Sequence, residues 1–121
     1  MARVDLPVTS VSRSGVASGS AGSEVTGDST NNHSFTNDAG VFLHVRNSAG
    51  TATRNVTLVV AQTVDGQAVT NPSVAVPVNS EKLIGPFPSL AYNQSSDLGK
   101  VYINVDHADL KLQAFKVTPA N

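Results

Sequence analysis

The run KVYINVDHADLKLQAFKVT, residues 100–118, decides the fold. Val101, Ile103 and Val105 alternate with Tyr102, Asn104 and Asp106, and after His107-Ala108 the segment 109–118 sets Leu110, Leu112 and Ala114 on one side. Side chains that alternate apolar and polar suit a strand with one face in a core and the other towards water. The same pattern occurs upstream. Residues 41–46 place Val41, Leu43 and Val45 against His44 and Arg46; residues 54–61 carry Val56, Leu58 and Val60; residues 73–78 carry Val74, Val76 and Val78. Their richness in Val, Ile and Thr favours strands, and no stretch of any length shows helical periodicity.

The turn residues agree. Asp65-Gly66 suits a two-residue hairpin loop that needs positive φ at both positions. Asn47-Ser48-Ala49-Gly50 is expected to close a second hairpin, and His107-Ala108 a third short connection. Pro77 lacks the N–H that an inner strand donates, which predicts an edge or a bulge. The expected fold is all-β: an antiparallel β-sandwich or jelly-roll-like barrel.

Residues 12–40 differ sharply, being Ser, Gly, Ala, Thr, Asn and Asp with only Val16, Val25 and Phe35 as sizeable apolar side chains. Such a segment buries too little to offset its ordering entropy. The expected organisation is therefore a flexible Ser/Gly-rich N-terminal arm over 1–40, able to contribute an edge strand, and a sandwich core over 41–121.

Composition narrows the function. Eight Lys and Arg stand against nine Asp and Glu, a net charge of −1, and the basic residues form no cluster, so nothing favours nucleic acid. The absence of cysteine excludes disulfides and thiolate metal sites. No apolar run is long enough to span a bilayer, and the N-terminus lacks a signal-peptide core, so a soluble chain made in the cytoplasm is expected.

Candidate chemistry is sparse. His44 falls on the polar face of its strand and is read as solvated; His33 lies in the flexible segment; His107, between Asp106 and Asp109, reads as a turn rather than a metal site. No Gly-x-Ser-x-Gly elbow occurs, and the Gly-rich run 19–23 lacks a phosphate-loop lysine. The expectation is a non-enzymatic protein without metal or cofactor. In residues 81–94, EKLIGPFPSLAYNQ, the glycine and prolines set backbone direction, with Phe87, Leu90 and Tyr92 expected to fold back over one end of the sandwich.

The motifs VFLHV (41–45), VDGQAV (64–69), VAVP (74–77), IGPFP (84–88), Tyr92-Asn93 and Val101-Tyr102 together resemble small head-decoration, or capsid cement, proteins of tailed bacteriophages. The resemblance covers about the last 80 residues and leaves 12–40 outside it. It implies a structural virion protein made in the host cytoplasm, bound to the major capsid protein on the outer capsid surface, with a homotrimer or other homo-oligomer compatible with that role. Val4, Leu6 and Val8 of the arm, with Phe87 and Tyr92, are the expected partner-binding residues. The alternative is a carbohydrate- or receptor-binding sandwich, or a head–tail or tail component.

Overall fold

The computed structural model describes residues 2–38 and 40–117. Strands β1 (Val4–Asp5), β2 (Val8–Ser10), β3 (Val25–Thr26) and β4 (His33–Thr36) come from the N-terminal third. The central third supplies β5 (Val41–Asn47), β6 (Arg54–Leu58), β7 (Thr63–Val64), β8 (Gln67–Ala68) and β9 (Ser73–Val76). The last third supplies β10 (Glu81–Ile84), the single-turn helix α1 (Ser89–Tyr92), β11 (Asn93–Gln94), β12 (Lys100–Val105) and β13 (Leu110–Lys116).

These strands form an all-β sandwich-like fold. One sheet runs β1-β4-β12-β6-β9, with β11 beside β12; the other runs β10-β5-β13-β2, with β3 beside β13. The longer strands of these two sheets turn one face to the opposite sheet, while β7 and β8 form a separate exposed two-stranded sheet. Val101, Ile103 and Val105 of one sheet and Leu43, Val45, Leu110 and Leu112 of the other are almost wholly buried, as the alternation required. At about 25 cal/mol per Å² of apolar area, this shared interior is the main stabilising term.

The connections depart from expectation. Asn47-Ser48-Ala49-Gly50 does not close a hairpin: β5 and β6 lie in different sheets, so the turn crosses the sandwich. The His107-Ala108 turn likewise carries the chain from β12 to β13 in the other sheet. Asn47 is 1% exposed and holds its corner together. Its amide donates to Ala52 O (3.0 Å) and Val76 O (2.9 Å), while its Oδ1 accepts from the Ala49 N–H (2.9 Å). Asp65-Gly66 does close the hairpin β7–β8, with φ of 51° and 76°. Pro77 follows directly on β9, which is the edge strand expected there.

The larger correction concerns residues 1–40. An arm giving an edge strand describes β1 and β2, which are sheet edges, but not β4, which is paired on both sides by β1 and β12. Leu6 is 1% exposed and Phe35 fully buried, both inside the common core. The sheets are also mixed rather than antiparallel, because β1 joins β4, and β2 joins β13, in parallel. The physical reason is that a segment poor in side chains can still order through its backbone. It pairs with edges already present and needs only a few apolar anchors.

His33 locks this arrangement. It is fully buried, its Nε2 accepts the Asp28 N–H at 2.9 Å, and its Nδ1 stands 3.3 Å from Val4 O. That pairing fits the neutral ring with its proton on Nδ1. Burial, together with the nearby Arg3 guanidinium, lowers the His33 pKa, outweighing the Val4 carbonyl and the Asp28 carboxylate, which raise it.

Two outcomes follow for stability. Leu6→Ala should cost about 2–5 kcal/mol in urea denaturation, a loss that a free arm would not show. For His33, the unfolded chain binds the proton more readily than the folded one. Stability should therefore fall as pH drops below about 6.5 and flatten below the folded pKa. His33→Gln should remove that slope from a pH series of denaturation midpoints.

Candidate functional site

The pairing of β5 with β13 builds the outer face of the second sheet. It sets Phe42 opposite Phe115, His44 opposite Gln113 and Arg46 opposite Lys111, all pointing away from the core. The Phe42 and Phe115 rings lie 5.8 Å apart, tilted by 32°. From the neighbouring edge, β10 sets Glu81 beside Arg46 and Leu83 beside His44 on the same face.

Residues 11–27 cross this face as a strap. Gly19 N–H donates to Gln113 Oε1 at 2.7 Å, and Glu24 makes a two-pronged pair with Arg46 at 2.8 and 2.9 Å. The hydrogen bonds from Arg46 pull the Glu24 carboxyl below its ordinary pKa. Gly27 N–H bonds Leu110 O at 2.8 Å and leads the chain off the face. The Ser/Gly composition is what allows this close approach. A Cβ on Gly22 would stand 2.4 Å from the Gln113 side chain and 2.6 Å from Ala17 O.

The strap leaves part of the face open. A cleft of about 420 Å³ lies between Val11, Val16 and Ser18 of the strap and Phe42, His44, Phe115 and Leu83 of the sheet. A second, of about 430 Å³, adjoins it at Phe42 and Leu83 and reaches Gly85 and Pro86. Leu83 is 69% exposed and Val11 44%. At the polar end, His44 Nε2 stands 3.5 Å from Glu81 Oε1, while its buried Nδ1 has no hydrogen-bond partner. His44 is thus not the solvated side chain expected; it is 6% exposed because the strap covers it.

The expected partner-binding residues lie elsewhere. Leu6 and Phe87 are inside the core, at 1% and 5% exposure, and Val4, Val8 and Tyr92 are half-buried. Phe87 packs edge-on between Phe35 and Tyr92, at 5.3 and 5.5 Å between ring centres. The corner over residues 81–94 therefore closes the sandwich with Phe87 and Tyr92. Leu90, expected to join them, is 78% exposed on α1.

The residues that do form the open surface are Val11 and Leu83, with the half-buried Phe42 and the buried Phe115 as the floor of the cleft between them. The sequence held one sign of them. Phe42 interrupts the alternation of β5 and Phe115 that of β13, and apolar residues on both faces of a strand mark a sheet covered on both sides. Leu83 carried no such sign, because edge position is decided by pairing.

Other groups are engaged within the chain. Arg3 lies 4.0 Å over the Tyr102 ring and donates to Asn104 Oδ1 at 2.7 Å, covering the outer face of the first sheet. Tyr102 thus lies under Arg3, and Tyr92 lies against Phe87. Asp109 is paired with Arg54 at 3.0 Å, and its N–H donates to His107 Nδ1 at 3.0 Å, so this turn is satisfied internally. Among the described residues, no group of three or more His, Asp or Glu is gathered as a metal site would need.

Comparison with family models, curated proteins and solved structures found no match to this chain.

Removing the clasp tests the strap. Gln113→Ala should speed amide exchange at Gly19 about fivefold, the loss of one hydrogen bond worth about 1 kcal/mol, with little change at core amides of β12.

Proposed function

We propose that this chain is a structural virion protein that binds the outer surface of a phage capsid, through the major capsid protein, and stabilises it. The observation that carries the reading is the exposed apolar pair Leu83 and Val11, which rim two adjoining clefts floored by the half-buried Phe42 and the buried Phe115 beside a sheet edge. Large apolar side chains grouped on a surface mark a place where another molecule sits. The resemblance of about the last 80 residues to capsid cement proteins supplies the class of partner.

The physics of the scaffold suits that role. A cement protein works by contact, so it needs a rigid body and a surface that releases water on assembly. Both sheets here are closed over one core, and the strap fixes the cleft before any partner arrives, which limits the ordering cost of binding. A capsid lattice repeats the site many times, so a modest contact gains by avidity.

The test is co-sedimentation with capsids assembled from the shell protein of the same phage. The chain should pellet with capsids at low and moderate salt, and Leu83→Asp should reduce the bound fraction at least tenfold. Absence of binding by the native chain at either salt would overturn the reading.

A further inference from the structure

Two properties of β10 coincide. The first is a backbone edge that no other strand pairs with among the described residues. Asn47 N–H bonds Ser80 O at 2.8 Å, which sets the phase of the antiparallel β5–β10 ladder. Ser80 therefore turns its C=O, and Lys82 and Ile84 their N–H and C=O groups, towards β5, while Glu81 and Leu83 turn theirs outward from the sheet edge. The second is the position of the side chains. Glu81 and Leu83 both lie on the outer face, Glu81 at the lip of the first cleft and Leu83 at the lip of both. The two residues with free backbone groups are thus the two that border the apolar surface.

We propose that β10 accepts an extended segment of a partner protein as an added antiparallel strand, with an apolar, an acidic and a basic residue in consecutive positions. The direction follows from the pairing. In an antiparallel ladder the partner residue opposite Leu83 precedes the one opposite Glu81. The first position packs on Leu83 and over Phe42, the second pairs with Lys82, and the third pairs with Glu81. The Glu81 side chain is 57% exposed, with His44 Nε2 at 3.5 Å and Arg46 opposite it in the ladder but engaged by Glu24. Main-chain bonds to Glu81 and Leu83 hold the strand, and the clefts select the side chains.

A second copy of this chain fits the edge poorly. Outward residues pair only with outward residues, so β10 against itself has few registers. One sets Lys82 on Lys82 and another Glu81 on Glu81, both like charges, which is destabilising. The register centred on Leu83 places Glu81 opposite Gly85, whose φ of 141° takes it out of strand geometry. A different protein carrying the complementary charges meets none of these conflicts. The proposal gives the capsid reading its contact, and rests on that reading only for the partner's identity.

The experiment uses a capped nine-residue peptide with Leu-Glu-Arg at its centre and threonines on either side, and its isomer with Leu-Arg-Glu. In titrations of the ¹⁵N-labelled full chain, the first peptide should shift the amides of Glu81 and Leu83 and slow their exchange. The isomer should bind at least fivefold more weakly, and the double variant E81K/K82E should invert that preference. Leu83→Pro removes one outward N–H without touching the β5 ladder and should weaken binding about fivefold; if it does not fold, the charge inversion alone decides. Equal binding of both peptides, shifts confined to other strands, or a dimer of the chain abolished by Leu83→Lys would each overturn the proposal. Capsid binding that survives Leu83→Pro at full strength overturns strand addition and leaves decoration standing. Peptide binding with no capsid binding removes the capsid reading and leaves the edge site.

Discussion

The seven-residue pairing of β5 with β13, from Val41–Lys116 to Asn47–Leu110, is the constraint on which the rest of the molecule depends. One register sets both faces at once. Leu43 against Ala114 and Val45 against Leu112 point into the core, while Phe42 against Phe115 and His44 against Gln113 point outward. A shift of β5 by one residue would turn that strand over and bury His44 and Arg46 in the sandwich. The same register fixes which β5 groups remain for β10, and so which β10 groups face solvent.

The outer face is then completed by residues that carry little apolar surface. Gly19, Gly22 and Glu24 lie close to the sheet because glycine permits it and because Gln113 and Arg46 offer fixed partners. The strap covers His44 and stops short of Leu83, which leaves the clefts. A polar, glycine-rich segment thus shapes an apolar surface by covering only part of it. In the other sheet, Arg3 and the buried His33 fasten β1 at the edge beside β4. The burial that lowers the His33 pKa also makes this tie sensitive to acid.

Much of the fold was legible. The strands Val41–Asn47, Lys100–Val105 and Leu110–Lys116, the tight turn at Asp65-Gly66 and the edge character beside Pro77 all followed from side-chain alternation and turn chemistry, while Thr118 lies outside the described residues. The pairing did not follow. β5 and β6, β9 and β10, and β12 and β13 are neighbours in sequence but lie in different sheets. Alternation says which side of a strand is buried, and says nothing about which strand lies beside it. The candidate site suffered the same limit. Leu6 and Phe87 drew attention as apolar residues in loop-like surroundings, yet loops that cross a sandwich bury such residues at its ends and edges.

The sequence by itself determined the strand-forming segments, the inward set of Val, Ile and Leu, and the β7–β8 turn, because these depend on local backbone preference and on a period of two. The tertiary structure alone decided that residues 4–36 join both sheets, that His33 and His44 are buried, and that Leu83 stands exposed on a free edge. Those outcomes depend on contacts between segments far apart in the chain, where backbone hydrogen bonds and a few anchoring side chains outweigh local composition.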